Sequence, residues 1–203
     1  LGIAARTHLG PVGIDGVLIG AYGKRTVSGG PNQRIRGLAL DWRVTLDLGI
    51  FTVQGIFAWA SGRDPRSSRD DAFPVIAPFY GASGIIYQDL GGFNVTGSNL
   101  SGTAHTTIKL SASPAKDLSI QAVFQWAWYT SDRDVSANTK SFNEDARDIG
   151  FETDLNVTYS ILEGFSVYAR GSVLFTSKGY LAQQDVSTRG TLGQVIVGAQ
   201  LSF

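Results

Sequence analysis

The sequence predicts an all-β fold: an antiparallel up-and-down sheet that closes into a transmembrane β-barrel. Three features of the 203 residues support this prediction. Apolar and polar residues alternate over long segments, short and long connections alternate, and charged residues stay on one side of each clear segment. No segment approaches the run of about 18 apolar residues that a membrane helix needs. A membrane protein without such helices has to be a closed barrel, because lipid offers no partner to an open sheet edge.

The clearest strand runs from Leu38 to Leu48. Its even positions are Leu, Trp or Val, and its odd positions are polar apart from Ala39. Because successive side chains of a strand point to opposite faces, this pattern makes one face apolar and the other polar. The next alternating segment follows directly after Gly49, which indicates a tight hairpin turn at that point.

The same alternation recurs along the rest of the chain and predicts about nine strands in a single domain over residues 1–203. Most of these segments have at least the roughly 9–11 residues that a tilted strand needs to cross a bilayer. The other predicted strands are Leu1–Leu9, Val17–Lys24, Phe51–Ala60, Ala104–Ala112, Leu118–Tyr129, Phe151–Tyr159, Phe165–Phe175 and Gln194–Phe203.

Connections of two lengths alternate between these strands. The short ones lie at Pro11–Gly16, Leu48-Gly49, Pro114–Asp117 and Ile161–Gly164. The long ones lie at Ser28–Arg34, Arg63–Leu100, Ser131–Arg147 and Ser177–Gly190. Short periplasmic turns alternating with long external loops are typical of bacterial outer-membrane barrels, so we expect that location with the C-terminus in the periplasm.

Charged residues indicate which face points to lipid. The apolar faces of the seven clear strands carry no Asp, Glu, Lys or Arg. A basic residue at the bilayer midplane costs about 2–4 kcal/mol, so the polar faces are expected to point into the barrel. The predicted pore-lining residues are Arg6, Asp41, Arg43, Asp47, Lys109, Glu152, Asp154 and Arg170.

Aromatic residues are concentrated at the ends of the predicted strands, where they would form two girdles at the membrane interfaces. Trp42 and Phe124 fall outside this pattern. A terminal aromatic after an alternating segment resembles the signal by which bacterial assembly machinery recognises the last strand. The predicted interface aromatics are Trp59, Trp126, Trp128, Tyr159, Phe165 and Phe203.

Composition argues against several other classes of protein. Seventeen basic and 17 acidic residues give a formal net charge of +0, which does not favour nucleic acid as a partner. The absence of cysteine excludes disulfides and thiolate sites. His105 shares its face with Thr107 and Lys109, as expected of a polar lumen residue. We therefore expect no enzymatic activity, no metal and no cofactor.

The strand number predicts a larger barrel than this segment alone would form. Single-chain bacterial barrels have an even number of strands, whereas the alternation gives about nine. We therefore expect at least one strand before Leu1, and a complete barrel of about 16–18 strands.

Several short motifs are similar to those of a known family. Residues 57–65 read Phe-Ala-Trp-Ala-Ser-Gly-Arg-Asp-Pro, and Arg-Asp-Asp-Ala-Phe follows at 69–73. Ser-Asn-Leu at 98–100, Gly-Phe-Glu-Thr-Asp-Leu at 150–155 and Tyr-Ala-Arg-Gly at 168–171 follow in order. Over about residues 37–203 this resembles the C-terminal half of alginate-export-type outer-membrane porins. The resemblance implies a monomeric barrel of about eighteen strands that passes an anionic polysaccharide or a small organic solute.

Two functions of different classes are consistent with these features. The first is an outer-membrane channel for small polar solutes or an anionic polysaccharide. The second is a structural barrel that anchors or sheathes protein partners in an envelope complex. The apolar loop Arg63–Leu100 distinguishes them, because it should lie in the lumen of a channel but on a partner of a structural barrel. Both functions imply contact with outer-membrane lipid and lipopolysaccharide.

Overall fold

The computed structural model is all-β, as the alternation predicts. It describes residues 1–25, 33–62, 72–73, 83, 85–86, 102–130, 147–177 and 190–202. The strands are β1 Gly2–Leu9, β2 Val12–Arg25, β3 Gln33–Asp47, β4 Phe51–Ala60, β5 Thr103–Ala115, β6 Leu118–Tyr129, β7 Asp148–Leu162, β8 Phe165–Thr176 and β9 Thr191–Leu201.

The nine strands form one sheet in which each strand pairs antiparallel with its neighbours in sequence. The predicted up-and-down order is therefore confirmed. Within the described part of the chain the sheet is open, and β1 and β9 are its two edges. The turns at residues 10–11, 48–50, 116–117 and 163–164 share one end of the sheet, called here the turn end. The opposite end is called the loop end.

The predicted turn at Pro11–Gly16 is wrong, because β2 already begins at Val12. A two-residue turn at Gly10 and Pro11 suffices, and the φ of 61° at Gly10 favours glycine there. Gly16 lies under the Trp42 indole, where a Cβ atom would collide with the ring. This glycine makes room for a cross-strand neighbour inside a strand, although in sequence it suggests a turn.

Other boundaries differ by a few residues. β3 begins at Gln33, inside the loop predicted at Ser28–Arg34. β5 extends to Ala115 and β7 to Leu162, so the turns that follow them are shorter than predicted. Most of the other long loops and Phe203 lie outside the described residues.

The strand register separates a polar face from an apolar face. The polar face carries Lys109, Gln125 and Glu152, and the apolar face carries Trp126 and Phe151. Gln125 and Glu152 are fully buried, whereas Trp126 is 55% and Phe151 42% exposed. A one-sided water-soluble sheet packs its apolar face on a core, so this distribution is the reverse of the usual one.

Candidate functional site

The register brings all eight predicted pore-lining residues to the polar face. Arg6, Asp15 and Arg43 occupy one lateral row across β1–β3, and the row continues through Thr107 to Glu152. The remaining predicted residues share the face because each is an even number of positions from a member of this row on its own strand. They are Asp41 and Asp47 on β3, Lys109 on β5, Asp154 on β7, and Arg170, which pairs with Asn156.

A buried chain of hydrogen bonds crosses the polar face near the loop end. His105 Nδ1 and Thr107 Oγ1 are 2.8 Å apart, and Thr107 Oγ1 donates to Gln125 Oε1 over 2.9 Å. Gln125 Nε2 then donates to Ser83 Oγ over 3.0 Å. Ser83 belongs to the long segment between β4 and β5, so the wall and that segment are directly connected.

Glu152 completes this connection through its carboxylate. It accepts hydrogen bonds from Ser83 Oγ at 2.8 Å, from the Ile86 amide at 2.9 Å, and from the Ile85 amide. Both isoleucines are fully buried. We call Glu152 with Ser83, Ile85 and Ile86 the loop anchor. The two buried backbone amides have their acceptor on Glu152, and a buried amide without an acceptor is costly, so the anchor holds this part of the loop on the polar face.

The sequence predicts only part of the loop anchor. Glu152 was predicted on the polar face, and the apolar character of the loop suggested that it folds inward or covers a partner. Ser83 and Gln125 were not singled out, because polar residues in a glycine-rich loop and on a polar strand face are ordinary. Only their approach across the sheet identifies them.

The start of the same loop contacts β3. The Phe73 amide donates to the Ser61 carbonyl over 2.9 Å. A Cβ atom at Gly37 would lie 2.5 Å from Phe73 Cα, so a glycine is needed where the loop crosses the strand. The loop therefore touches the sheet at two described places, residues 72–73 and residues 83, 85 and 86.

A second hydrogen-bonded belt lies closer to the turn end. Arg170 Nε donates to Asn156 Oδ1 over 2.7 Å, and Asn156 Nδ2 is 3.5 Å from Gln121 Oε1. Gln121 Nε2 donates to Ser111 Oγ over 3.2 Å. These side chains occupy one row across β5–β8 and are only partly buried, so the belt offers donors and acceptors to a polar solute.

Several charges of the polar face pair within the wall. Arg43 donates to both carboxylate oxygens of Asp41 over 2.8 and 3.0 Å, and Arg6 pairs with Asp15. Asp47 accepts from the Gly49 amide over 2.9 Å and thereby fixes the β3–β4 turn. Pairing of this kind neutralises much of the field that separated charges would create.

Lys109 differs from these paired charges. Among the described residues it makes no hydrogen bond or ion pair, and it lies next to Gln54 and Val123 in its row. Asp154 is one strand further along the same row. The Lys109 ammonium group is thus available, on the described polar face, to interact with a solute.

Aromatic residues form a lateral row on the apolar face. Residues of this row are paired from strand to strand between β3 and β8: Trp42, Phe57, Thr106, Trp126, Phe151 and Phe175. Thr106 is the one non-aromatic residue among them. Trp42, which falls outside the strand-end pattern in sequence, therefore lies in the same lateral row as Phe57. The strands are staggered relative to one another. Trp42, in the interior of β3, therefore lies level with Phe57 and Trp126, which are near the loop ends of β4 and β6.

The other predicted interface aromatics that the structure describes lie on the same face. Trp59 and Trp128 occupy the next row towards the loop end, and the Trp126 and Trp128 ring centroids are 5.9 Å apart. The Trp126 indole donates to Asp148 Oδ1 over 2.7 Å, so its polar edge is directed to the loop end. Tyr159 lies near the turn end, Phe165 begins β8 there, and Phe203 is outside the described residues.

Comparison with models of known protein families finds no match, and comparison with curated protein sequences finds none either. No helix of the described residues could span a membrane. The described residues also contain no group of His, Cys, Asp or Glu side chains that could hold a metal ion.

Proposed function

We propose that the nine strands are part of a closed transmembrane β-barrel of a bacterial outer membrane, and that their polar face lines a channel. The solutes would be small and polar, or an anionic polysaccharide as the resemblance to alginate-export-type porins implies. The single observation that carries this proposal is the inverted exposure of the sheet, with Glu152 and Gln125 buried and Trp126 exposed.

Lipid explains the exposed apolar face. Many large apolar side chains of this face, among them Ile108, Leu110 and Leu155, are more than two-fifths exposed. Contiguous exposed apolar surface of this kind is unfavourable in water and indicates contact with lipid or a partner. The lateral row of aromatics supports lipid, because such rows mark the interface between hydrocarbon and headgroups.

Unpaired sheet edges support a larger barrel. β1 and β9 each have a strand on one side only, within the described residues. Hydrocarbon offers no hydrogen-bond partner to the free backbone groups of an edge strand. Further strands would pair with both edges and close a barrel of about 16–18 strands.

The loop anchor supports a channel rather than a sheath around a protein partner. It places Ser83, Ile85 and Ile86 on the polar face, where they would narrow the lumen. The turn-end belt and Lys109 remain available along the same wall. Rings of polar and charged side chains beside a constriction are how pores select solutes.

The test is reconstitution of the full-length protein into planar lipid bilayers. We expect stepwise ion conductance and, in cell fractionation, recovery with the outer membrane. A control protein refolded under the same conditions, such as an outer-membrane barrel with a lumen filled by side chains, should show no steps. Absence of conductance from protein that is folded and inserted would overturn the channel. Co-purification of a protein that fills the lumen would instead favour the structural barrel.

A further inference from the structure

The apolar face changes character at the loop end of β2 and β3. Lys24 pairs directly with Arg34, and Tyr22 pairs directly with Arg36. All four are exposed and lie on the same face as Trp42. We call Lys24, Arg34 and Arg36 the basic cluster. It adds three positive charges to a face that is otherwise apolar along both strands.

Within the described part of the chain, the charges of the basic cluster are not neutralised. None of its three side chains makes a hydrogen bond or an ion pair with a residue that the structure describes. This differs from the polar face of strands β1–β3, where Arg43 pairs with Asp41 and Arg6 pairs with Asp15. The basic cluster therefore offers three free cations and several N–H donors on an exposed surface.

The basic cluster lies where the apolar band of β3 ends. The apolar face of this strand carries Leu46, Val44, Trp42, Leu40 and Leu38, and Arg36 is the next residue on that face. From position 46 to position 36 the strand rises about 33 Å, at about 3.3 Å per residue. At a tilt of about 40° this is a height of about 25 Å, which is the height of the apolar band of an outer-membrane barrel.

We propose that the basic cluster binds the phosphate groups of anionic lipids at the membrane surface on the loop side of the sheet. The inference rests on the proposed function, because it needs the apolar face to be embedded in lipid. Arg guanidinium groups bind phosphate oxygens in a bidentate manner, and Lys24 adds a third charge beside Arg34. Tyr22 lies opposite Arg36, at the border of the apolar band, as expected for a residue at the headgroup level.

Position on the apolar face favours lipid over other anions. A nucleic acid or an acidic protein would have to approach a cationic surface that continues directly into exposed Leu38 and half-buried Leu40. A lipid satisfies both parts at once, with its acyl chains on the apolar band and its phosphate on the basic cluster. Basic residues next to an anionic membrane surface contribute roughly a fivefold gain in affinity each.

The test measures binding of a bis-phosphorylated glycolipid to the full-length protein in a neutral detergent, by native mass spectrometry. The variants are Lys24→Gln, Arg34→Gln and Arg36→Gln, singly and combined. We expect affinity to fall about fivefold for each single change and on the order of one hundredfold for the triple change. The matched control is Lys116→Gln, which removes one exposed positive charge at the turn end and should leave the affinity unchanged.

Two further probes identify the ligand. The dephosphorylated glycolipid should bind wild-type protein and the triple variant equally, because the phosphate is what the cluster recognises. Inorganic phosphate at millimolar concentration should not displace the lipid. Equal affinity of wild-type and triple variant for the phosphorylated lipid, an equal loss with Lys116→Gln, or displacement by inorganic phosphate would each overturn the proposal.

Conductance separates this inference from the proposed function. The triple variant should conduct as the wild type does, since the basic cluster lies on the face opposite to the lumen. If the wild-type protein conducts and the triple variant binds the lipid as tightly as the wild type does, the lipid site alone is overturned. A protein that binds the lipid through the basic cluster but never conducts overturns the channel alone.

Discussion

Replacing Glu152 by Ala should release the loop segment from the polar face while the sheet stays intact. The carboxylate accepts three hydrogen bonds, from Ser83 Oγ and from the amides of Ile85 and Ile86. Without it, two buried backbone amides lose their acceptor, and each unsatisfied buried group costs about 1–3 kcal/mol. The free energy of opening the segment should therefore fall by about 2–6 kcal/mol.

Amide hydrogen exchange measures this change directly. Because every 1.4 kcal/mol is a factor of ten, exchange at Ile85 and Ile86 should accelerate at least about thirtyfold. Glu152→Gln keeps one carbonyl acceptor, so its effect should be intermediate. Glu163 lies exposed in the turn between β7 and β8, which makes Glu163→Ala a control with the same loss of carboxylate. If the polar face lines a channel as proposed, the conductance of Glu152→Ala protein should also rise, since the segment would no longer narrow the lumen.

Two results would refute this reasoning. Unchanged exchange at Ile85 and Ile86 in folded Glu152→Ala protein would show that the carboxylate does not hold the segment. Equal acceleration along β5 and β6 would show that Glu152 supports the whole sheet rather than the loop. Exchange at the amides of Thr107 and Gln125, which belong to the sheet ladder, distinguishes the second result from a local release.

Two further predictions concern the two faces of the sheet, and a third concerns the crossing of the loop over β3. Leu110→Arg on the apolar face should lower the free energy of unfolding from a bilayer by about 2–4 kcal/mol, measured by denaturant titration, whereas Ser111→Arg on the polar face should change it little. Lys109→Glu should shift the ion selectivity of the channel towards cations, measured as a reversal potential in a salt gradient. Gly37→Val should displace the backbone at Phe73, because even a Cβ atom would lie 2.5 Å from Phe73 Cα; exchange of the Phe73 amide should accelerate.

Each of these has an outcome that contradicts it. Equal destabilisation by Leu110→Arg and Ser111→Arg would argue against lipid on one face only. An unchanged reversal potential with Lys109→Glu would place Lys109 outside the solute path. Unchanged exchange at Phe73 would mean that the loop does not cross β3 closely at Gly37. Gly55→Val is the matched control for that substitution, since a Cβ atom at Gly55 meets nothing within 4 Å.

The strands and their faces were predictable because period-two alternation is a local property of sequence. Lys109, Glu152 and Arg170 were assigned to one face from their own strands, and the register confirms that they share it. The turn predicted at Pro11–Gly16 was wrong for the opposite reason. Gly16 is a glycine because the Trp42 indole from another strand lies over it, and no local pattern reveals such a neighbour.

Which residues of different strands lie side by side depends on the stagger between the strands. The sequence of a single strand does not reveal that stagger. Trp42 appeared to interrupt the rim pattern, yet pairing with Phe57 places it in the aromatic row. The basic cluster emerges in the same way, since Lys24 and Arg34 are separated by a loop and meet only through the β2–β3 register.

Composition and alternation alone determined an all-β antiparallel chain, its up-and-down order, and the separation of charged from apolar faces, because these depend on residues within one strand or on adjacent strands. The tertiary structure decided where the long loop goes. Glu152 binds the amides of Ile85 and Ile86 across 66 or more positions of sequence. Such a contact depends on how loop and wall meet in space, and a buried carboxylate takes whichever donors the fold brings to it.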